Sequence, residues 1–240
     1  MVIAAVIQAR MGSSRLPGKV LKPLFQNQLA LHLMLDRVKR AVYLDHIIVA
    51  TSDLKADDAI QEACDIDGVQ CFRGSESNVL ERFYQAIQET IPPVTHIMRL
   101  TADCPLHDPE IIDECIKYYQ KHPCDYLSNT VPRTFPKGLD IEIMTRQALE
   151  RAYQNAGSSY EKEHVTPYIK KHPNLFTLGN FQSKQDLSNH RWTLDYPEDY
   201  QMITRVYQVL YPDNPTFGWA EVIQLLKTHP EIYNINAHLE

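Results

Sequence analysis

Short apolar runs alternate with amphipathic segments through the first half of the chain. The apolar runs predict buried strands over residues 2–9, 46–51, 69–72 and 95–100. The amphipathic segments have helical spacing and predict helices over residues 29–42, 56–64, 78–90 and 109–120. Ser77 and Asp108 stand where the last two of these helices need N-caps. Strands that alternate with helices are typical of βαβ units, so we predict an α/β fold with a mostly parallel sheet.

The pattern is less regular after residue 120. Strands are predicted over residues 126–129, 139–144, 176–180 and 192–194, and helices over residues 146–155, 166–171, 198–210 and 219–227. The chain contains no internal repeat, linker or low-complexity stretch. We therefore predict that residues 1–240 form a single domain.

The amino-acid composition is that of an ordinary globular protein, and the net charge argues against one class of ligand. Hydrophobic residues make up 44% of the chain and charged residues 22%. The formal net charge of −6 argues against a nucleic-acid partner, because a phosphate backbone needs a broad basic surface. A small anionic ligand is compatible with this charge, since it needs only a local cluster of cations.

The cysteines and the apolar runs bear on location. None of the five cysteines forms a C-x-x-C pair, which argues against a zinc site and predicts reduced thiols in a cytoplasmic protein. The apolar N-terminus lacks a basic leader and a small-residue cleavage site, so it is interpreted as a strand and not as a signal peptide. No apolar run approaches the ~18 residues that a membrane span needs, so no membrane partner is expected.

A basic loop directly after the first predicted strand is the most informative stretch. Its sequence is QARMGSSRLPGK, residues 8–19, and it contains Arg10, Arg15, Lys19, Gly12 and Gly18. Ligands of open α/β sheets bind at the carboxyl ends of the strands. The glycines let backbone N–H groups approach an anion while the cations supply charge, so the loop predicts a polyphosphate site.

Two common phosphate motifs do not fit this loop. Gly12 and Gly18 are separated by five residues where a P-loop needs four, and Val20 stands where a P-loop has a magnesium-binding Ser or Thr. The dinucleotide fingerprint G-x-G-x-x-G is also absent. The remaining alternative from residue chemistry alone is a solvated surface loop with incidental charges.

The loop also carries a family resemblance. Its residues 9–19 resemble the signature of CMP-Kdo synthetases, more loosely that of CMP-sialic acid synthetases, and more closely that of spore-coat polysaccharide F-type cytidylyltransferases. Further segments that look like this subfamily follow in order: FRGS at 72–75, RLTADCPL at 99–106, PKGLDIE at 136–142, YEKEHVTPY at 160–168 and RWTLDYPED at 191–199. The resemblance therefore covers nearly the whole chain.

The resemblance implies a fold, a reaction and an assembly. The fold is the Rossmann-like α/β/α sandwich of nucleotide-diphosphosugar transferases, and a strand-rich segment at about 125–190 serves dimerisation or acceptor binding. The reaction couples a sugar hydroxyl to the α-phosphate of CTP and releases pyrophosphate, with Mg²⁺ as cofactor. The implied partners are CTP, a small anionic acceptor and a second copy of the chain, in surface or spore-coat polysaccharide biosynthesis.

The same resemblance assigns residues to the nucleotide and the metal. Lys19, Arg10 and Arg15 are the expected catalytic cations, and Asp103 and Asp195 the expected Mg²⁺ ligands. The expected nucleotide site comprises Ala9, Arg10, Gly12, Ser13, Arg15, Lys19, Arg73, Thr101 and Asp103. Both aspartates follow predicted strands, and Mg²⁺ prefers one or two carboxylates together with phosphate oxygens. Without the family resemblance, each aspartate is interpreted as a turn or helix-capping residue.

Acceptor binding is expected from polar residues of the second half. Asp140 and Glu142 lie two apart on a predicted strand and share one face, where they hold sugar hydroxyls or a second metal ion, or belong to a salt-bridged surface strand. The expected acceptor site comprises Arg133, Lys137, Asp140, Glu142, His164 and Arg191. His164 is equally consistent with a structural histidine.

Two other functions remain open from the sequence. One is a glycosyltransferase of the same general fold, although Asp103 is followed by Cys104 and Pro105 and so lacks the D-x-D motif of that class. The other is a nucleotide-binding module without catalytic activity, which predicts binding without turnover.

Overall fold

The computed structural model describes residues 1–239, in which nine strands and ten α-helices follow the predicted βαβ order. The strands are β1 (Ile3–Gln8), β2 (Pro23–Phe25), β3 (Gln28–Leu29), β4 (His46–Ser52), β5 (Gln70–Gly74), β6 (His96–Thr101), β7 (Tyr126–Ser128), β8 (Glu142–Thr145) and β9 (Leu178–Asn180). The helices are α1 (Ala30–Val38), α2 (Asp58–Asp67), α3 (Val79–Ala86), α4 (Pro109–Lys121), α5 (Arg146–Asn155), α6 (Ser159–His164), α7 (Pro167–Lys171), α8 (Pro197–Leu210), α9 (Trp219–Thr228) and α10 (Pro230–Tyr233).

The central sheet is mostly parallel, as predicted. Its strand order is β5-β4-β1-β6-β8-β7-β9, and β8 is antiparallel to both of its neighbours. The parallel register aligns Gln8 at the end of β1 with Ala50 of β4 and Thr101 of β6. The segments that follow β1 and β6 therefore leave the sheet side by side at its carboxyl edge.

Helices cover the sheet on both faces and divide the core into two layers. Ile3, Ala5 and Ile7 of β1 face one layer, which also contains apolar side chains of α1, α4, α8 and α9. Ala4 and Val6 face the other layer, with side chains of α3, α5 and α7. Since alternate residues of β1 are buried on opposite faces, the strand reads as one continuous apolar run. This arrangement is the expected α/β/α sandwich.

Several local predictions were wrong. The strand predicted over 139–144 begins only at Glu142, so Asp140 lies in the preceding loop. Residues 192–194 form no strand, because they bond to loops: the Leu194 N–H donates to the Asp103 carbonyl at 2.7 Å. The N-cap of α3 is Asn78 and not Ser77, since the Asn78 side chain reaches the Glu81 N–H.

Other elements were missed or redistributed. The hairpin β2–β3 and the short helices α6 and α10 were not predicted, because each contains too few residues to show a period. The segment 125–190 contains β7, β8 and β9, which extend the central sheet, but also α5, α6 and α7. More of its residues are in helices than in strands, so it is not strand-rich, and its role in dimerisation stays a prediction. Within residues 1–239, no helix combines the length and apolar character needed to cross a bilayer.

Candidate nucleotide and acceptor sites

The basic loop turns back over the end of β1. Gly18 has a left-handed backbone with φ of 65°, and the one-turn 3₁₀ helix Lys19–Leu21 begins directly after it. The Gly18 N–H donates to the Met11 carbonyl at 3.3 Å, and the Met11 N–H donates to Asp57 Oδ1 at 2.7 Å. A residue with a Cβ is strained at this φ, so Gly18 permits the turn after which the 3₁₀ helix begins at Lys19.

Lys19 bridges Asp103 and Asp195, the two predicted Mg²⁺ ligands. Its Nζ lies 2.6 Å from Asp103 Oδ2 and 2.8 Å from Asp195 Oδ1, and the side chain is 13% exposed. Burial lowers the pKa of Lys19, but Asp103 and Asp195 together outweigh that effect and leave the pKa above its ordinary value. Burial likewise opposes ionisation of Asp195, yet Lys19, Arg15 and Arg191 hold its pKa below the usual range. Lys19 is therefore a cation and Asp195 an anion at neutral pH.

The two arginines of the loop are more open than Lys19. Arg15 Nη2 lies 3.3 Å from Asp195 Oδ1, and the guanidinium sits 4.8 Å from the centre of the Tyr196 ring. The Arg10 side chain is 44% exposed, and its Nη2 lies 3.9 Å from Glu163 Oε1 at the end of α6. Both guanidinium groups are thus accessible to a ligand that approaches the carboxyl edge of the sheet.

These groups line a polar cleft of about 360 Å³, which we call the loop cleft. It brings together most of the predicted nucleotide and metal residues: Arg10, Gly12, Ser13, Arg15, Lys19, Thr101, Asp103 and Asp195. Gln8, Ser14 and Val20 also line it. The cleft combines three cations with hydroxyl groups and two carboxylates, and cations and hydroxyls are groups that bind phosphate oxygens.

Two predicted nucleotide residues lie outside this lining. Ala9 is 2% exposed and its N–H donates to the Ala50 carbonyl, so its backbone continues the hydrogen bonding between β1 and β4. Arg73 donates to Asp58 Oδ1 at 2.6 Å and to the carbonyls of Ser52 and Leu54 at 3.1 and 2.9 Å. The Arg73 guanidinium thereby connects the end of β5 with the end of β4, the segment that follows β4 and the first residue of α2.

A second pocket, of about 280 Å³, adjoins the loop cleft and shares Thr101 with it. We call it the Glu142 pocket. It is lined by three cations, two carboxylates and two hydroxyls: Arg99, Arg133, Lys170, Asp140, Glu142, Thr101 and Thr130. Three of the predicted acceptor residues, Arg133, Asp140 and Glu142, therefore meet there despite the wrong strand assignment.

Glu142 is the buried centre of that pocket. It accepts hydrogen bonds from the Tyr126 hydroxyl, from Arg99 Nη1, from Thr166 Oγ1 at 2.8 Å and from Lys170 Nζ at 3.4 Å. Burial alone raises the pKa of a carboxyl group, but Arg99, Lys170 and the Tyr126 hydroxyl reverse this and lower the pKa of Glu142 to about 2. Glu142 is therefore a fixed negative charge over the physiological range.

The rim of the pocket is an arginine–carboxylate fork. Arg133 Nη2 donates to Asp140 Oδ2 at 2.7 Å, and Arg133 Nη1 donates to Asp140 Oδ1. The adjoining loop is packed tightly: Gly138 has φ of 110°, and a Cβ there would lie 2.5 Å from the Trp192 carbonyl carbon. Lys137 pairs with Arg191 in an isolated bridge of backbone hydrogen bonds. The loop that carries Asp140 is thus fixed to the segment that carries Asp195.

The remaining predicted acceptor residues lie elsewhere. Arg191 is 6% exposed, and its guanidinium contacts Asp195 and Asp199. His164, at the end of α6, is exposed and its ring lies 4.5 Å from that of Tyr160. Neither residue lines the Glu142 pocket.

Arg99, Lys170 and Gln8 were not predicted as site residues. Arg99 links the two pockets, since its Nη2 donates to Gln8 Oε1 at 3.1 Å while its Nη1 contacts Glu142. Arg99 could have been predicted as a site residue from the sequence, because it is a cation near the end of a buried strand. Arg82 of α3 lines neither pocket: it is fully buried, its Nε and Nη2 have no hydrogen-bond partner in residues 1–239, and burial lowers its pKa to about 10.

The donor set for a metal ion is limited to the two aspartates. In residues 1–239 no group of three or more His, Cys, Asp and Glu side chains is placed to hold a metal ion. Asp103 and Asp195 nevertheless approach one another closely enough to share the Lys19 ammonium. Two carboxylates beside a polyphosphate cleft fit Mg²⁺, which completes its coordination with phosphate oxygens and water.

The comparisons with known proteins agree with this geometry. The sequence profile of the cytidylyltransferase family matches residues 4–213. The chain belongs to this family. It is 38% identical to the spore coat polysaccharide biosynthesis protein SpsF of Bacillus subtilis over 95% of each chain.

Two solved structures are similar in fold. A cytidylyltransferase from Leptospira borgpetersenii superposes with a TM-score of 0.90 and 33% identity, over 97% of each chain. A CMP:2-keto-3-deoxy-manno-octonic acid synthetase complexed with CTP superposes with a TM-score of 0.64 and 16% identity, over 87% of this chain and 99% of the other. The first supports the family and the second the fold, so the predicted resemblance and fold class are confirmed.

Proposed function

We propose that this cytidylyltransferase transfers CMP from CTP to a hydroxyl group of an acidic sugar in polysaccharide biosynthesis and releases pyrophosphate. The observation that carries the proposal is the junction of the two pockets. The loop cleft has the cations for a triphosphate, and the Glu142 pocket meets it at Thr101. An acceptor in the second pocket is therefore adjacent to a nucleotide in the first. The similar synthetase that is complexed with CTP suggests cytosine as the base. The similar spore coat polysaccharide biosynthesis protein suggests polysaccharide synthesis as the biological role.

The cations of the loop cleft stabilise the charge of the transferring phosphate. The oxygen of the acceptor hydroxyl forms a bond to the α-phosphorus while the bond from that phosphorus to the bridging oxygen of pyrophosphate breaks. Pyrophosphate leaves with the electron pair of the broken bond, and the hydroxyl proton is released to solvent. Lys19, Arg15 and Arg10 donate charge-assisted hydrogen bonds to the phosphate oxygens. The buried position of Lys19 places its ammonium without further reorganisation, which favours the transition state. No covalent bond to the enzyme is needed.

Asp103 and Asp195 are the residues that would hold Mg²⁺. When bound, the metal neutralises the negative charge that develops on pyrophosphate. The two carboxylates come from different parts of the sequence, and the hydrogen bond from the Leu194 N–H to the Asp103 carbonyl keeps their backbones together. Their relative position is thus set by the fold before a nucleotide binds.

The Glu142 pocket orients the acceptor. Its three cations exceed its two carboxylates by one, which favours an acceptor that carries a single negative charge. Asp140, Glu142 and the threonine hydroxyls accept hydrogen bonds from sugar hydroxyls, and Arg133 or Lys170 pairs with the acceptor carboxylate. The family resemblance adds a homodimer, and the reduced cysteines add a cytoplasmic location, as further parts of this proposal.

A pyrophosphate-release screen tests the function. The purified protein is incubated with Mg²⁺, one of CTP, UTP, ATP or GTP, and a panel of acidic sugars, neutral sugars and sugar phosphates. We expect release that requires both CTP and an acidic sugar, and CMP-sugar formation in equal amount. Asp103→Asn and Asp195→Asn are the matched inactive controls, with turnover reduced about a hundredfold or more.

Three results would contradict the proposal. Equal turnover with UTP or ATP removes the base assignment. Consumption of a nucleotide-sugar with no pyrophosphate release indicates a glycosyltransferase of similar fold. CTP binding without turnover for any acceptor class favours the nucleotide-binding module.

A further inference from the structure

A buried polar network lies directly behind Asp195. Its centre is Asp199, in the first turn of α8, whose side chain is fully buried. Asp199 Oδ1 accepts from Arg191 Nε at 2.9 Å, and Asp199 Oδ2 accepts from Arg191 Nη2 at 2.9 Å. Oδ2 also accepts from the N–H groups of Asp195 and Tyr196, both at 3.0 Å. The carboxylate thus holds the backbone of Asp195 as well as the Arg191 guanidinium.

The C-terminal segment completes this network. Asn236 follows α10, is 3% exposed, and its Nδ2 donates to Asp199 Oδ1 at 2.8 Å and to the Arg191 carbonyl at 2.9 Å. With Asn236, the Asp199 carboxylate accepts hydrogen bonds from five donor sites. A helix-capping carboxylate needs only the backbone N–H of the N-cap residue. The additional hydrogen bonds indicate that Asp199 has a role other than capping the N-terminus of α8.

Arg191 passes the restraint on to the Asp195 side chain. Arg191 Nη2 lies 3.3 Å from Asp195 Oδ2, whereas Asp195 Oδ1 faces Lys19 and Arg15 in the loop cleft. One oxygen of Asp195 is therefore held from behind while the other points to the cleft. A carboxylate held in this way keeps its orientation when a ligand changes the charges in front of it.

We propose that Arg191, Asp199 and Asn236 are positioning residues that aim the Asp195 carboxylate at the divalent metal ion of the metal–CTP complex. The inference rests on the proposed role of Asp195 as a metal ligand. It gives Arg191 a function in place of acceptor binding, and it makes the C-terminal segment part of the metal site. None of the three residues lines the loop cleft, so each acts through Asp195.

The test measures metal binding separately from turnover. Mn²⁺ replaces Mg²⁺ because free Mn²⁺ is quantified by its electron paramagnetic resonance signal, and CTP is present without acceptor. Asn236→Ala removes two hydrogen bonds at the far end of the network and is expected to weaken Mn²⁺ binding about tenfold. The matched control is Asn234→Ala, two residues earlier on the exposed surface, which is expected to bind Mn²⁺ as the unmodified protein does.

A second variant and a second measurement separate positioning from general loosening. Arg191→Lys keeps the positive charge but loses the planar fork that reaches Asp199 and Asp195 together, so it is expected to weaken Mn²⁺ binding by a similar factor. CTP binding in the presence of EDTA is expected to be unchanged in both variants. An equal loss of CTP affinity without metal would show that the site has only loosened, and would overturn the inference.

Asp195→Asn distinguishes failure of this inference from failure of the proposed function. If Asp195→Asn itself leaves Mn²⁺ affinity unchanged, Asp195 is not a metal ligand and the metal assignment fails. If Asp195→Asn weakens Mn²⁺ binding while Asn236→Ala and Arg191→Lys bind it normally, the metal assignment stands and the positioning role is overturned. Weaker binding in all three variants supports both.

Discussion

The loop cleft and the Glu142 pocket share Thr101 but arrange their charges differently. In the loop cleft, one ammonium, that of Lys19, is shared by two aspartates, and the Arg15 side chain is 53% exposed. In the Glu142 pocket the carboxylate is 7% exposed and enclosed by Arg99, Lys170 and hydroxyl groups. The charges of the loop cleft are open to exchange with a ligand, whereas the Glu142 carboxylate is already bonded to several donors of the protein.

The difference indicates two kinds of recognition. A triphosphate brings its own negative charge, so it suits cations whose protein partners are few and partly exposed. A sugar is recognised mainly by directed hydrogen bonds, which require acceptors and donors already held in place. The loop cleft is therefore expected to depend on individual charges, and the Glu142 pocket on an intact network.

Lys19→Ala is expected to have the largest effect on turnover. It removes the ammonium that contacts both aspartates and that faces the triphosphate, so kcat/KM is expected to fall about a hundredfold or more. Pyrophosphate release measures the loss, and thermal unfolding is expected to show a much smaller change. Lys55→Ala, at an exposed lysine, is the control. Normal turnover in Lys19→Ala would contradict the distinction between the two pockets.

Glu142→Gln is expected to have the largest effect on stability. The substitution leaves Arg99 and Lys170 without their buried counter-charge, and loss of one partner of a buried pair costs about 3–5 kcal/mol. Urea unfolding at pH 7 measures the change in the free energy of unfolding. Glu114→Gln, on the exposed side of α4, is expected to change it by less than about 0.5 kcal/mol.

The same pair of proteins gives a pH test. The folded pKa of Glu142 is about 2, below the ~4.3 of an unfolded glutamate, so its charge stabilises the fold fully above pH ~4.3. This contribution is lost as the pH falls from about 4.3 towards 2. The stability difference between the unmodified protein and Glu142→Gln should therefore shrink over that range. A difference that is constant with pH would contradict the assigned network.

Arg73→Ala is expected to have the smallest effect. Its guanidinium contacts Asp58 and two backbone carbonyls outside the loop cleft, and the Asp58 side chain is 50% exposed. Exposed ion pairs contribute about 0–1 kcal/mol, so a small loss of stability and a CTP affinity within about twofold are expected. Calorimetric titration of CTP checks this. A loss of tenfold or more would return Arg73 to the nucleotide site.

The nucleotide side of the protein was largely predictable from the sequence. The apolar run of β1, the glycines and the cations of the basic loop are contiguous, and strand ends in a parallel sheet meet at one edge. These local features were sufficient to place Lys19 and Asp103 together. The boundaries of β8 and the N-cap of α3 were less accurate, since pairing and capping depend on atoms outside the local pattern.

By itself, the sequence determined the α/β fold, the family and the basic loop, because periodicity and motif residues lie next to one another along the chain. Only the tertiary structure decided that Arg191 faces Asp199 and Asp195, that Arg73 of β5 contacts Asp58 of α2, and that Arg99 and Lys170 enclose Glu142. Partners of a charged side chain are chosen by packing between distant segments, and burial then determines whether the charge binds a ligand or another residue. The linear order of charged residues contains information on neither the packing between segments nor the burial of each side chain.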